Sequence, residues 1–203
     1  RSTLSPSSAA SDVYKRQSAL RSGADLVVIY APTSVANTIR SFSPNLIVQS
    51  YSGEYLHKGV LDDLKNIIKK FDTVIIGPGI GSDEEILKAA YDTILFACRH
   101  IPTIVDADAL KSLAMYDIPS GDIIITPHAG EFKAIFGVEV SKDVMRRAEI
   151  VTHKACEHNI TILLKGHIDV ISDGSRTKLN RTGNPGMTAV SYTHLTLPTT
   201  ERV

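Results

Sequence analysis

Four short segments of this chain carry residue types and spacings that can do chemistry. The first is Gly77-Pro78-Gly79-Ile80-Gly81, placed between the aliphatic run Thr73-Val-Ile-Ile76 and a helical stretch. Glycines let a backbone approach a ligand closely and aim N–H groups at it, and a helix N-terminus behind them adds partial positive charge suited to phosphate. A turn of this composition also serves chain geometry alone. It is not a P-loop, because no Gly-Lys-Ser/Thr follows, and it is not a full dinucleotide fingerprint. The second segment, Thr103-Ile-Val-Asp106-Ala-Asp108-Ala-Leu110, ends a strand-like run with two carboxylates two residues apart. Such a pair can position a metal, a ribose hydroxyl or a water. Equally, Asp106 can cap the helix that follows while Asp108 faces solvent. The third, Ile123-Ile-Ile-Thr126-Pro127-His128-Ala129-Gly130-Glu131, puts a His and a Glu just past another strand end, where proline fixes the exit. His128 is then expected to project toward the same crevice, although a lone histidine is more often structural. The fourth is Ile162-Leu-Leu-Lys165-Gly166-His167-Ile168-Asp169, followed by Asn180-Arg-Thr182-Gly183-Asn184-Pro185-Gly186-Met187. Lys165 beside a glycine can neutralise phosphate charge, and the later Gly and Asn residues suit a loop that wraps a nucleotide. The alternative for Lys165 is a solvated charge at a strand end.

These segments must be held by regular elements, and the hydrophobic pattern supplies them. Leu26-Val-Val-Ile-Tyr30, Leu46-Ile-Val48, Thr73-Val-Ile-Ile76, Thr103-Ile-Val105, Ile123-Ile-Ile125 and Ile162-Leu-Leu164 are aliphatic or β-branched blocks bounded by Gly, Pro, Asp or Asn. Runs of that kind read as parallel strands buried on both faces. Helical intervals are expected over residues 35–40, 61–70, 83–99, 130–136 and 142–157. In the third, Ser82 can cap, Asp83, Glu84 and Glu85 fill the first turn, and Ile86, Leu87, Ala90, Ile94 and Leu95 return on one face. Strand and helix in alternation give a doubly wound α/β sheet whose ligands bind at the carboxyl ends of the strands. Asp173-Gly174, flanked by residues 168–171 and 178–180, signals a hairpin and so antiparallel strands on one edge.

Composition fixes what surrounds such a site. The chain has 203 residues, 43% hydrophobic and 22% charged, which suits one globular domain with a real core. Lys plus Arg is 22 and Asp plus Glu is 22, so there is no global field to hold nucleic acid or an anionic membrane, and any anionic ligand must be gripped locally. No apolar run reaches the roughly 20 residues of a membrane span, and no signal-peptide pattern is present, so a cytoplasmic location is expected. Cys98 and Cys156 match no metal or redox spacing and read as reduced core or half-buried thiols. The ends differ from the middle. Residues 1–17 hold five serines and residues 191–203 four threonines, with neither helical nor strand period. Both segments resemble translated sequencing-adapter sequence, so the expected organisation is a partial domain over residues 18–190, truncated at both ends, between two non-native tails.

Taken in order, Gly-Pro-Gly-Ile-Gly, Val-Asp-Ala-Asp-Ala-Leu, Thr-Pro-His-Ala-Gly-Glu-Phe, Leu-Lys-Gly and Thr-Gly-Asn-Pro-Gly-Met resemble the ADP-dependent NAD(P)H-hydrate dehydratases. These are ribokinase-like domains often fused to an NAD(P)H-hydrate epimerase. The resemblance implies an α/β fold with a mostly parallel sheet, helices on both faces and an antiparallel edge hairpin. It implies dehydration of the (6S)-hydrate of NADH or NADPH, a repair reaction in which ADP or ATP, with Mg²⁺, converts the hydroxyl to a phosphate ester that is then eliminated. By match of motifs, Gly79, Gly81 and His128 correspond to residues that hold the hydrated nicotinamide nucleotide, and Asp106 shapes the same site. Lys165, Gly166, His167, Ile168 and Asp169, with Asn184, Gly186 and Met187, correspond to the adenine-nucleotide site. No residue of this chain is assigned as a metal ligand. The partners implied are the two nucleotides, an epimerase domain and, for the intact protein, further copies of itself.

One departure bears on activity. The family carries a Gly-Thr-Gly-Asp turn that supplies an anion hole and the aspartate at the reacting hydroxyl, and these 203 residues contain no such turn. Groups of that kind are each worth orders of magnitude in rate, so no catalytic residue is assigned, and the expectation is a dehydratase gene whose present chain binds more than it turns over. Two rival readings remain at this stage: a ribokinase-like small-molecule kinase of the hydroxymethylpyrimidine or hydroxyethylthiazole type, and a non-catalytic nucleotide-binding module.

Overall fold

A computed structural model describes residues 18–42 and 47–182. The terminal segments expected to be non-native, and Asn184, Gly186 and Met187, lie outside the described residues. The chain divides into two compact units, one containing residues up to Glu54 and one spanning Tyr55–Gly183.

In the first unit, β1 (Val28–Pro32) and β2 (Ile47–Tyr51) pair in parallel, joined through α1 (Thr33–Phe42). The strand starts two residues later than the aliphatic block suggests, which leaves Leu26 exposed outside it and puts Ala31 in the core. Val35, Ala36 and Ile39 of α1 pack on Ala31 and Val48, the i, i+1, i+4 spacing of one helical face.

The second unit holds a six-stranded sheet in the order β3 (Val74–Ile76), β4 (Thr103–Val105), β5 (Ile123–Ile125), β6 (Thr161–Leu164), β7 (Asp169–Ser172), β8 (Thr177–Asn180). The first four strands run parallel and the last two add antiparallel, so the mostly parallel sheet with its edge hairpin is observed. Helices α2 (Leu61–Ile68), α3 (Glu84–Ala97), α4 (Ala109–Met115), α5 (Ala129–Phe136) and α6 (Val144–His158) fill the connections, with a short 3₁₀ turn at Lys58–Val60. Alternation along each strand separates two faces. Ile76, Val105, Ile125, Ile162, Leu164 and Val170 join one core cluster with side chains from all five helices of this unit. The alternate positions Ile104 and Ile124 are half-buried, Ile75 is 55% exposed, and none of them belongs to that cluster.

Three local expectations need correction. The cap of α3 is Asp83, with no side-chain bond, rather than Ser82. The expected helical intervals omit α4, which runs between Asp108 and Tyr116. Its buried Ala109, Leu110 and Leu113 give too brief a pattern to assign bounds from sequence. Cys98 is buried and its thiol is pushed up in pKa by that burial, but Cys156 is exposed. The reason is helical phase: α6 buries Ala148, Val151 and Ala155, and residue 156 lies about 100° away from Ala155. The hairpin turn depends on Gly174, whose φ is +87° and whose hydrogen faces the Cys156 backbone, where a Cβ would come to 2.6 Å.

The two faces of the sheet predict unequal sensitivity. Ile125→Ala, at a fully buried site, is expected to lower stability by about 2–5 kcal/mol, whereas Ile75→Ala changes it by less than about 1 kcal/mol. Urea unfolding of the two variants against the parent measures this.

Candidate functional site

Parallel strands deliver their carboxyl ends to one side of a sheet, and here three neighbours end in polar residues: Asp106 after β4, Thr126 after β5 and Lys165 after β6. Backbone bonds continue the ladder past the strands and fix these ends in a row. The Asp106 N–H donates to the Ile76 carbonyl at 3.0 Å, Thr126 N–H to Val105 at 3.1 Å, and Lys165 N–H to Pro127 at 2.8 Å.

The side chains close on one another. Asp106 Oδ1 accepts from Thr126 Oγ1 at 2.7 Å and from Lys165 Nζ at 2.8 Å. Burial pushes the Asp106 carboxyl up, but the hydrogen bonds from Lys165 and Thr126, the Lys165 charge and the Ala107 N–H together outweigh it and hold the carboxyl below the ordinary range. The side chains of Lys165 and Asp106 are 42% and 33% exposed, so the pair lies at a surface open to a ligand. The carboxylate pair is thereby separated by role. Asp106 belongs to the strand-end cluster and does not cap α4, while Asp108 occupies the cap position with no side-chain bond to the helix N–H groups and pairs with Lys111 at 2.7 Å.

The turn between them is strained. Ala107 has φ +51°, a left-handed conformation that costs a residue with a Cβ about 1–2 kcal/mol. Gly77, at φ +129°, backs onto this turn so closely that a Cβ there would lie 1.8 Å from the Asp106 carbonyl oxygen. Its glycine is a packing requirement. Gly79 and Gly81 follow at φ +76° and +93°, so the loop needs glycine for its path whatever else it touches. The helix behind it is not a vacant positive pole: Asp83 at the cap and Glu84 and Glu85 in the first turn already complement the dipole.

His128 has a defined structural task. Its Nδ1 accepts from the Gly130 N–H at 3.0 Å and the Glu131 N–H at 3.2 Å, and Glu131 Oε2 accepts from the His128 N–H at 2.8 Å, a reciprocal capping box at the start of α5. The ring is 61% exposed, with Nε2 3.5 Å from Glu131 Oε1. The turn after Lys165 is tied down from two sides. Asp169 accepts from the Gly166 N–H and from Asn180 Nδ2, both at 3.0 Å, and Arg147 of α6 donates to the Ile168 carbonyl at 3.3 Å. His167 is exposed in this turn. Thus Asp106 and Lys165 are brought together, Asp169 serves as an anchor within its own turn, and His128 caps a helix. Thr126 and Arg147 were not singled out from sequence. Thr126 opens the Thr-Pro-His motif, a signal that could have marked it, whereas nothing near Arg147 announces its reach to residue 168. Among the described residues no group of three or more His, Cys, Asp or Glu is placed to hold a metal ion, and no helix is long and apolar enough to cross a membrane.

Comparison with known proteins gives these residues a context. Residues 14–190 match the family model described as NAD(P)H-hydrate dehydratase. The chain is 40% identical over 176 residues to the bifunctional NAD(P)H-hydrate repair enzyme Nnr of Pyrobaculum aerophilum, covering 87% of this chain and 35% of that protein. It is 39% identical over 179 residues to the ADP-dependent (S)-NAD(P)H-hydrate dehydratase of Cenarchaeum symbiosum, covering 87% and 61%. Among solved structures it is similar to the ADP/ATP-dependent NAD(P)H-hydrate dehydratase of Bacillus subtilis co-crystallized with ATP/Mg²⁺. That match has a TM-score of 0.69 and 28% identity, over 91% of this chain and 63% of the other. The chain therefore spans about a third of the bifunctional relative and about three-fifths of the single-function one.

Two experiments follow from the geometry. Ala107→Gly is expected to raise stability by about 0.5–1 kcal/mol, the relieved strain less glycine's extra freedom in the unfolded chain. Gly77→Ala is expected to lower it by more than about 3 kcal/mol because backbone must move; urea midpoints report both. Because the folded Asp106 carboxyl sits below its unfolded value of about 3.9, its contribution is fully present above that value and is lost as pH falls through the folded one. Lys165→Met removes a principal cause of the depression, so the variant's stability should fall less steeply than the parent's between about pH 5 and pH 2.

Proposed function

The chain belongs to the NAD(P)H-hydrate dehydratase family, and from that premise we propose that it is part of a nucleotide-repair enzyme that removes water from the (6S)-hydrate of NADH or NADPH at the expense of ADP or ATP. The observation that carries the reading is the Lys165 ammonium held 2.8 Å from Asp106 at the carboxyl ends of the central parallel strands. It lies within residues 14–190, the span of the family match. A neutral chain has no overall field for a polyphosphate, so a cation fixed at the strand ends is the element such a ligand requires.

In this reading the adenine nucleotide lies along the turn from Lys165 to Asp169, with its phosphates on Lys165. The hydrated nicotinamide nucleotide lies against Gly79, Gly81 and the outward edge of His128. The hydrate's hydroxyl oxygen attacks the terminal phosphorus and releases its proton to water as the P–O bond to the shortened nucleotide breaks, and the resulting ester then loses phosphate and a ring proton to restore the double bond. Bound Mg²⁺ supplies charge neutralisation on the polyphosphate. This chain contributes orientation: Asp106 and Thr126 fix the cation, and the His128–Glu131 cap fixes the imidazole. A cytoplasmic location, an epimerase domain and self-association belong to the same proposal; relatives named as bifunctional repair enzymes support a second activity in the whole protein.

A kinase acting on hydroxymethylpyrimidine or hydroxyethylthiazole shares the fold, but the family match favours the dehydratase. The test is the thermal midpoint of the purified chain with ADP and Mg²⁺, then with NADPH-hydrate, then with each thiazole or pyrimidine alcohol. Ligand at 100 times its Kd should stabilise by about 2.7 kcal/mol. A rise with ADP and with the hydrate is expected; a rise with an alcohol and none with the hydrate would transfer the chain to the kinase reading.

A further inference from the structure

A lysine side chain on an exposed strand end has four rotatable bonds, and ordering it on a ligand costs affinity unless the protein has ordered it beforehand. Lys165 is ordered beforehand. Its ammonium bonds Asp106 Oδ1 at 2.8 Å, its one polar side-chain contact among the described residues. An ammonium has three donors, so two remain for a ligand. The carboxylate is itself fixed on both sides. Thr126 Oγ1 donates to the same oxygen at 2.7 Å. The next residue, Ala107, lies in a left-handed turn packed against Gly77 with no space for a Cβ. Strain that persists in a non-glycine residue is held in place by its surroundings and is concentrated where geometry serves function.

We propose that Asp106 is a positioning residue for nucleotide binding: with Thr126 it fixes the Lys165 ammonium at the strand ends so that the phosphates of an adenine nucleotide meet a pre-oriented cation. The inference rests on the reading of Lys165 as a nucleotide contact. It runs against the simplest electrostatic expectation. Asp106 is a negative charge beside a binding site for anions, so removing it should tighten binding. For a phosphate about 6 Å away under water-like screening the gain is about threefold. Losing the fixed ammonium weakens binding by roughly tenfold. The two effects separate because only the second requires Lys165.

The test is a double-mutant cycle on the affinity for ADP with Mg²⁺, measured by calorimetry on the whole chain, with Asp106→Asn, Lys165→Met and the pair. Asp106→Asn should weaken ADP about threefold net when Lys165 is present and tighten it about threefold in the Lys165→Met background, a coupling of about tenfold. Thr126→Val changes no charge and provides a second arm should Asp106→Asn fail to unfold cooperatively. It should weaken ADP at least twofold with Lys165 present and have no effect without it. Coupling below about twofold in the Asp106 cycle, or in the Thr126 cycle where that one carries the test, overturns the inference alone if Lys165→Met still weakens ADP. Absence of ADP binding to the parent chain, or binding indifferent to Lys165→Met, overturns the nucleotide reading of Lys165 and the inference with it. A purely structural role for Asp106 would lower the thermal midpoint and leave the coupling near one.

Discussion

One carboxylate organises the carboxyl edge of the larger unit. Asp106 stands at the end of β4, accepts from the end of β5 through Thr126, and accepts from the end of β6 through Lys165. Each partner is delivered by a strand that the hydrophobic core fixes independently, since Val105, Ile125 and Leu164, the last residues of those strands, are all buried. The arrangement therefore depends on register. A slip of one residue in β5 or β6 would turn its terminal polar group to the other face and break the cluster. Packing of the aliphatic face and placement of the polar ends are one constraint seen from two sides.

Electrostatics explains why the cluster has this form. With equal numbers of acidic and basic residues, the chain can attract an anion only through local charge. The helix behind the glycine loop opens with Asp83, Glu84 and Glu85, so its dipole is already satisfied by its own side chains. Lys165 is the cation at the strand ends, and a carboxylate beside it trades some attraction for a defined direction. The depressed titration of Asp106 keeps that carboxylate charged across the ordinary pH range.

The strands at Thr103–Val105 and Ile123–Ile125 were legible in the sequence to the residue, because three aliphatic or β-branched residues between turn-forming neighbours leave a short buried strand little freedom. The edge hairpin was legible for the same reason, through Asp173-Gly174. The cap of α3 was not, since Ser82 and Asp83 are both good caps and the choice between them is made by how the glycine loop enters the helix. The contact between Asp106 and Lys165 spans 59 positions, and no local pattern encodes it. What the sequence could offer was that each lay just past a strand. Parallel pairing of β4, β5 and β6 turns that separate knowledge into proximity.

The competing readings of single residues dissolve when atoms are distinguished. His128 could be a structural histidine or a ligand contact; its Nδ1 caps α5, and the capping box thereby sets the orientation of the ring's exposed Nε2 edge. Lys165 could be a strand-end charge or a phosphate contact. Its backbone N–H holds the sheet ladder at Pro127 while its Nζ is directed by Asp106. Asp106 bonds Ile76 through its backbone and Lys165 through its carboxylate. In each case the structural bond is what gives the remaining polar atom a fixed direction. Such a residue belongs to the fold and to the site at once, because the bond that closes the fold aims the atom left for the site.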